Sequence, residues 1–244
     1  MGASAPFFFD QFLKAEYMQD KNKALLTAFY KLISEAKIDR YEKIAADRTR
    51  YLTLVVENIY QDHNASAVIR SCDCFGIQDI HIIEKSNEFN VNREIAMGAG
   101  QWITQHKYTN PLYPTNECIK HLKDKGYKVV ATSPYAENDI HQLPLDQPIA
   151  LLFGTEQQGL SESALTLADE HVKIPMFGFT ESFNISVSAA LCMQVFRKRF
   201  EEQNQLNWRL SEEEQTLLKI EWCKNIIKNP EKVERELKYR LNIC

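Results

Sequence analysis

Short apolar runs, separated by helix-length polar stretches, constrain this chain more than any other feature. Tyr51 to Glu57 (Y-L-T-L-V-V-E), Ile80 to Ile83, Ile103 to Tyr108, Lys128 to Ser133 (K-V-V-A-T-S) and Ile149 to Phe153 (I-A-L-L-F) are too short and too continuously apolar for amphipathic helices. They read as strands, and the most apolar of them as strands buried on both faces. Helical stretches fall between them: one capped by Asn64 and ended by Gly76, one from about Thr115 to Lys125 ended by Gly126, and a short one from Ser161 through Ala168. The alternation predicts an α/β fold, with a largely parallel sheet covered by helices on both faces. Ligands of such sheets bind outside the carboxyl ends of the strands.

The flanks read differently. From residue 7 to about 50, Phe12, Leu13 and Tyr17, then Leu25, Leu26, Phe29, Leu32 and Ile33, repeat at helical spacing, with a short helix also expected at Arg93–Met97 further on. Ser211-Glu-Glu-Glu214 and Asn229-Pro230 mark two later helix starts. The expected division is a helical extension at 1–50, a core at 51–200 and a second helical extension at 201–244. A hydrophobic fraction of 44% over 244 residues suffices for a sizeable core. The six cysteines contain no C-x-x-C pair, which indicates neither a zinc site nor a disulfide framework and fits a reducing cytoplasm. No stretch approaches membrane-spanning length. A formal charge of −4 argues against wholesale attraction to nucleic acid. An RNA partner would need local basic strips, for which Arg40, Lys43, Arg48, Arg50, Arg197-Lys198-Arg199 and the locally basic 219–240 segment are the candidates.

Three stretches carry candidate chemistry. Gly154-Thr-Glu156-Gln-Gln-Gly159-Leu-Ser has the glycine spacing of a phosphate loop, but Leu160 stands where the lysine belongs and Glu156 would repel a polyphosphate. A carboxylate there suits a hydroxyl, an amine or a cation. Lys173 to Arg199 reads as a strand end, a polar turn and a helix: Pro175 biases Ile174 to extended geometry, Gly178 permits close approach, and Asn184 caps a helix whose first turns are small. In the helix after the first strand, Ala65, Val68, Ile69 and Cys72 share one face while Ser66, Arg70 and Asp73 share another. Arg70 therefore faces away from the core, either pairing with Asp73 or serving a ligand. Gly98-Ala-Gly100 lacks the third glycine of a dinucleotide fingerprint, which with the missing lysine disfavours a nucleotide-dependent enzyme.

Taken in order, N-A-S-A-V-I-R-S-C-D-C-F-G at 64–76, I-A-L-L-F-G-T-E-Q-Q-G-L-S at 149–161 and I-P-M-F-G-F-T-E-S-F-N-I-S-V-S-A-A at 174–190 resemble the SpoU (TrmH-type) branch of the SPOUT RNA ribose 2′-O-methyltransferases. The resemblance covers about residues 51–200. The short helical arms look most like those of the members that act on tRNA guanosine 18. It implies a trefoil knot in the carboxyl half, a homodimer, S-adenosylmethionine as methyl donor, and tRNA as substrate, with rRNA as the alternative. It assigns catalytic roles to Arg70, Asn64, Glu156, Asn184 and Ser182. Donor contacts fall to Thr132, Gly154, Gly159, Ile174, Met176 and Phe183, the last standing where relatives often have leucine. A non-catalytic RNA-binding module on the same fold is the reading from a different class.

Overall fold

Seven parallel strands make one sheet: β1 (Leu52–Glu57), β2 (Asp79–Ile83), β3 (Thr104–Tyr108), β4 (Lys128–Thr132), β5 (Asn138–Asp139), β6 (Ile149–Phe153) and β7 (Glu170–Lys173). Their order across the sheet is β3-β2-β1-β6-β4-β7-β5. This computed structural model describes the backbone of residues 5–243 and the side chains of residues 17–243, so the expected helical face at Phe12 and Leu13 lies outside the described side chains. Every residue of β1, β2 and β6 is buried, as expected for parallel strands covered on both faces. The five sequence-predicted strands are present to within a residue or two. β5 is not predicted, because two residues give no apolar run. The strand end expected from Lys173 onward belongs to β7, in which only Val172 is apolar and which already ends at Lys173.

Residues 48–209 form one compact unit. On one side of its sheet, α3 (Asp62–Phe75) packs on α6 (Ile185–Glu202). There Ala65, Val68, Ile69 and Cys72 meet Ala189, Cys192, Met193 and Phe196 in a single buried cluster with Leu54, Val56 and Phe153. On the other, α4 (Pro114–Asp124) and α5 (Glu162–Leu167) cover Val55, Val129, Ala150 and Leu152. Gly76 ends α3 at φ +73°, the left-handed geometry that favours glycine. The expected short helix at Arg93–Met97 is instead a series of turns leading to a single 3₁₀ turn at Ala99–Gln101.

The described residues before 48 and after 209 form the second unit. Here α1 (Ala5–Tyr30) and α2 (Glu35–Ala46) pack on α7 (Glu212–Ile226), and α8 (Pro230–Arg240) follows. Tyr41 meets Trp222 edge-on at 5.4 Å and donates to its carbonyl at 3.2 Å, while Lys219 reaches Glu42 at 2.7 Å. Ser211 starts α7 with a reciprocal capping box to Glu214.

The candidate basic strips are largely consumed by internal pairing. Arg48 is buried and pairs with Asp73, and Arg50 bonds Asp79 at 2.7 Å. Arg197 bonds Glu201 and lies over Trp208, and Arg199 donates to the Ile140 carbonyl. Lys224 and Lys238 share Glu234. Alternating charge on helices forms i,i+4 partners before it forms a patch.

His81, in the middle of β2, stacks on its register partner His106 at 4.6 Å and lies 6.1 Å from His121 of α4. Burial first, and then the His106 charge, push its pKa down to about 3, with His121 and Lys125 acting the same way and Asp79 opposing. The folded state thus holds His81 neutral while the unfolded chain binds a proton below about pH 6.5. The stability this residue contributes is present in full above that pH and falls as pH drops towards 3, by up to about 1.4 kcal/mol per unit. Urea denaturation of His81→Gln between pH 4 and 7 should accordingly show a shallower pH dependence than wild type; an unchanged slope would exclude the assignment.

Candidate active site

The carboxyl ends of β4, β6 and β7 open into one cavity of about 410 Å³. Three loops wall it: residues 132–135 after β4, 153–160 after β6, and the 174–188 turn that leads into α6. Each is built locally. Thr132 donates its hydroxyl to the Leu152 carbonyl at 2.7 Å, tying the first loop to the neighbouring strand. In the second, Thr155 and Gly159 exchange both backbone hydrogen bonds, at 3.0 and 2.9 Å, and the Thr155 hydroxyl accepts from the Gln158 amide. In the third, Asn184 caps α6 by accepting from the Ser186 amide at 2.9 Å.

The two glycines of the middle loop are required for different reasons. A Cβ on Gly154 would stand 2.1 Å from the carbonyl carbon of Gly159, so the chain closes on itself only without a side chain there. Gly159 has open space around it but holds φ at +69°. Gly178, read from sequence as a point of close approach, has nothing within 4 Å of a built Cβ. The strand it was thought to terminate already ends at Lys173, and the residue belongs to an exposed turn.

Asn64 is not the helix cap expected of it. The helix begins at Asp62, so Asn64 sits inside the first turn with its side chain buried. Its amide is thereby free to bridge loops, donating to the Glu156 carboxylate and to Gln61 Oε1 (3.0 Å) and accepting from Asn184 Nδ2 at 3.1 Å. A chain of hydrogen bonds thus joins all three sequence motifs: α3, the glycine loop and the start of α6. Of the residues singled out from sequence, Thr132, Gly154, Glu156, Gly159, Ile174, Met176, Ser182 and Phe183 line the cavity, and Asn64 and Asn184 are bonded to its edge. Arg70 is not among the lining residues; it is exposed, and among the described residues it has no hydrogen bond or ion pair. The surface pairing with Asp73 does not form, because Asp73 serves Arg48.

Two contributors escaped the sequence reading. Glu57, buried at the end of β1, accepts from Thr115 Oγ1 (2.6 Å), the Ser161 amide (2.8 Å) and the Ser161 hydroxyl (2.7 Å), which anchors the end of the glycine loop. The signal was visible as a carboxylate closing an otherwise apolar run. Tyr135, which lines the cavity at 82% exposure, left none.

Residues 51–194 match the SpoU rRNA Methylase family. The chain belongs to that family. A tRNA (guanosine(18)-2′-O)-methyltransferase of Borreliella burgdorferi is 39% identical over 84% of this chain and 92% of its own length. The enzyme of the same name from Thermus thermophilus is 34% identical over 70% of this chain and 84% of its own. Among solved structures, the A. aeolicus TrmH/SpoU tRNA modifying enzyme superposes with a TM-score of 0.71 at 27% identity, covering 80% of this chain and 98% of that one. The α/β fold with its parallel sheet is the fold of these SpoU proteins.

The two loop glycines of this SpoU-family chain give a paired expectation. Gly154→Ala forces backbone apart and should cost about 3 kcal/mol. Gly159→Ala meets only a left-handed backbone penalty of about 1 kcal/mol. Urea denaturation of the two variants checks the order; equal losses would mean that the 154–159 closure is not tight.

Proposed function

We propose that this protein transfers the methyl group of S-adenosylmethionine to the ribose 2′-hydroxyl of guanosine 18 in tRNA. One observation carries the reading. The second and third family-like motifs wall a single cavity and Asn64 of the first is hydrogen-bonded to its edge, in a chain whose relatives of 39% and 34% identity are named for that reaction.

The cavity suits the donor in size and chemistry. Its volume lies within the ~300–1,000 Å³ range of small-molecule sites. Its rim carries the Glu156 carboxylate, which no cation of the described residues pairs, at a loop lacking the lysine of a polyphosphate site. Such a rim favours a positively charged ligand. Thr132, Gly154, Gly159, Ile174, Met176 and Phe183 would hold it, much of the contact coming from backbone at positions 154–159. When bound, the donor supplies an electrophilic methyl on a sulfonium.

The rest of the reaction falls to the chain's own residues. Attack by a ribose hydroxyl needs the oxygen held in line with the methyl, and positioning of that kind can supply several kcal/mol, up to about 7–11 in ideal cases. Asn64, Glu156, Asn184 and Ser182 form or border the polar rim at which the ribose would be held. Arginine side chains as a class keep their proton far above physiological pH, so the role proposed for Arg70 is a positive charge. Its free guanidinium is suited to gripping a substrate phosphate or stabilising the developing oxyanion. The hydroxyl proton passes to a phosphate of the RNA or to water as the new oxygen–methyl bond replaces the sulfur–methyl bond.

Further parts of the reading follow from family membership. The carboxyl half is proposed to thread as the SPOUT trefoil knot, and the protein to act as a homodimer in the cytoplasm. Phe177 and Phe179, each almost fully exposed, and Val187 and Leu191, exposed at an i,i+4 spacing on α6, support a partner surface there. Among the described residues no helix is long and apolar enough to cross a membrane.

Arg70→Ala should lower methyl transfer at least about a hundredfold, the size expected for losing a central electrostatic group, with donor binding by calorimetry unchanged. Full activity of this variant would remove Arg70 from the mechanism. Incubating wild type with purified tRNA and rRNA and mapping the methylated nucleotide tests the substrate. A 2′-O-methylated rRNA with unmodified tRNA would replace the reading with its ribosomal alternative, and no donor binding at all would indicate a non-catalytic module.

A further inference from the structure

Tyr60 lies outside the cavity lining, on the loop between β1 and α3. Its side chain is 73% exposed, yet the backbone on either side of it is fixed. Asn58 holds φ at +56°, and its side chain accepts from the amides of Ser86 and Asn87, both at 2.9 Å, and donates to the Ser86 hydroxyl, also at 2.9 Å. Asn87 Nδ2 returns a bond to the Asn58 carbonyl at 3.0 Å, and the Asn58 amide donates to Ile83 at 2.8 Å. Ile59 is buried in the main core cluster. On the other side, Gln61 accepts from Asn64, the residue that also bonds Glu156 at the cavity rim. A single exposed aromatic needs no explanation on a free loop. One on a loop whose backbone is clamped, a single residue away from the hydrogen-bond chain of the active site, offers an exposed phenol ring beside that chain.

The geometry points to Tyr60 as a stacking platform for a nucleobase of the RNA substrate, positioning the target nucleotide at the cavity mouth. A nucleotide of a single-stranded loop brings its ribose to a chosen place on a protein when its base is splayed out and held there. Unstacked bases are held chiefly on aromatic faces, and a ring whose backbone is already ordered loses little further entropy on binding. Tyr60 is a positioning residue here and takes no part in bond making. The inference rests on the RNA methyltransferase reading, and its test separates the two.

Wild type is first assayed for 2′-O-methylation of tRNA and of rRNA, and the RNA it modifies is carried forward; if it modifies neither, it is the functional reading that fails. With that RNA, Tyr60→Ala is expected to raise KM about tenfold or more, the scale of one lost base-aromatic stack, with donor affinity by calorimetry unchanged. Tyr60→Phe, which keeps the ring and loses the hydroxyl, should restore KM to near wild type. Wild-type KM in Tyr60→Ala would overturn the proposal while leaving the functional reading intact. So would a loss of donor affinity, which would mean that the loop has lost its order. So would a change in sedimentation behaviour, which would place the phenol at a contact between two copies of the chain.

Discussion

A buried carboxylate that no cation of the described residues pairs holds the working end of this sheet together. Glu57 ends β1 at the centre of the sheet, and its two oxygens accept from the first turn of α4 and twice from Ser161, the cap of α5. A charge removed from water is tolerable only when hydrogen bonds replace its hydration. Three donors on two separate elements do so here. The consequence is positional: the loop from Gly154 to Ser161 is pinned at its far end by Glu57, closed in the middle by the Thr155–Gly159 pair, and tied at Glu156 to Asn64. Preorganised polar groups of this kind do not have to be rearranged when a charged ligand or a developing charge arrives.

The sheet was legible because its central strands had no alternative. Five-residue runs such as Ile149–Phe153 cannot form a buried helix of useful length, and flanking glycines and caps mark their limits. Only the end of β7 was legible, because the strand carries Glu170, His171 and Lys173, which dilute the apolar signal. The site was legible in its motifs more than in its geometry. Sequence placed Asn64 at a cap because asparagine is a common cap, whereas burial turned it into the bridge between loops. Arg48 read as a surface cation, and only the fold shows it buried against Asp73. In each case the missing information was which distant segment lies alongside, and local pattern does not carry it.

The net acidity of the chain fits the same accounting of partners. Much of its positive charge stabilises the protein's own helices and loop carbonyls, as at Arg199, Lys219 and Lys224. Arg70, by contrast, has no hydrogen bond or ion pair among the described residues.

The ends of the sheet-bearing unit also have a consequence of their own. Thr49 forms an antiparallel bridge with Arg209, and its hydroxyl bonds the Trp208 carbonyl, so the segments entering and leaving this unit run side by side. Topologically the unit is a closed cassette. A few added residues could splice its tail to its head and open it at a surface turn elsewhere, and every strand would keep the neighbours it has now.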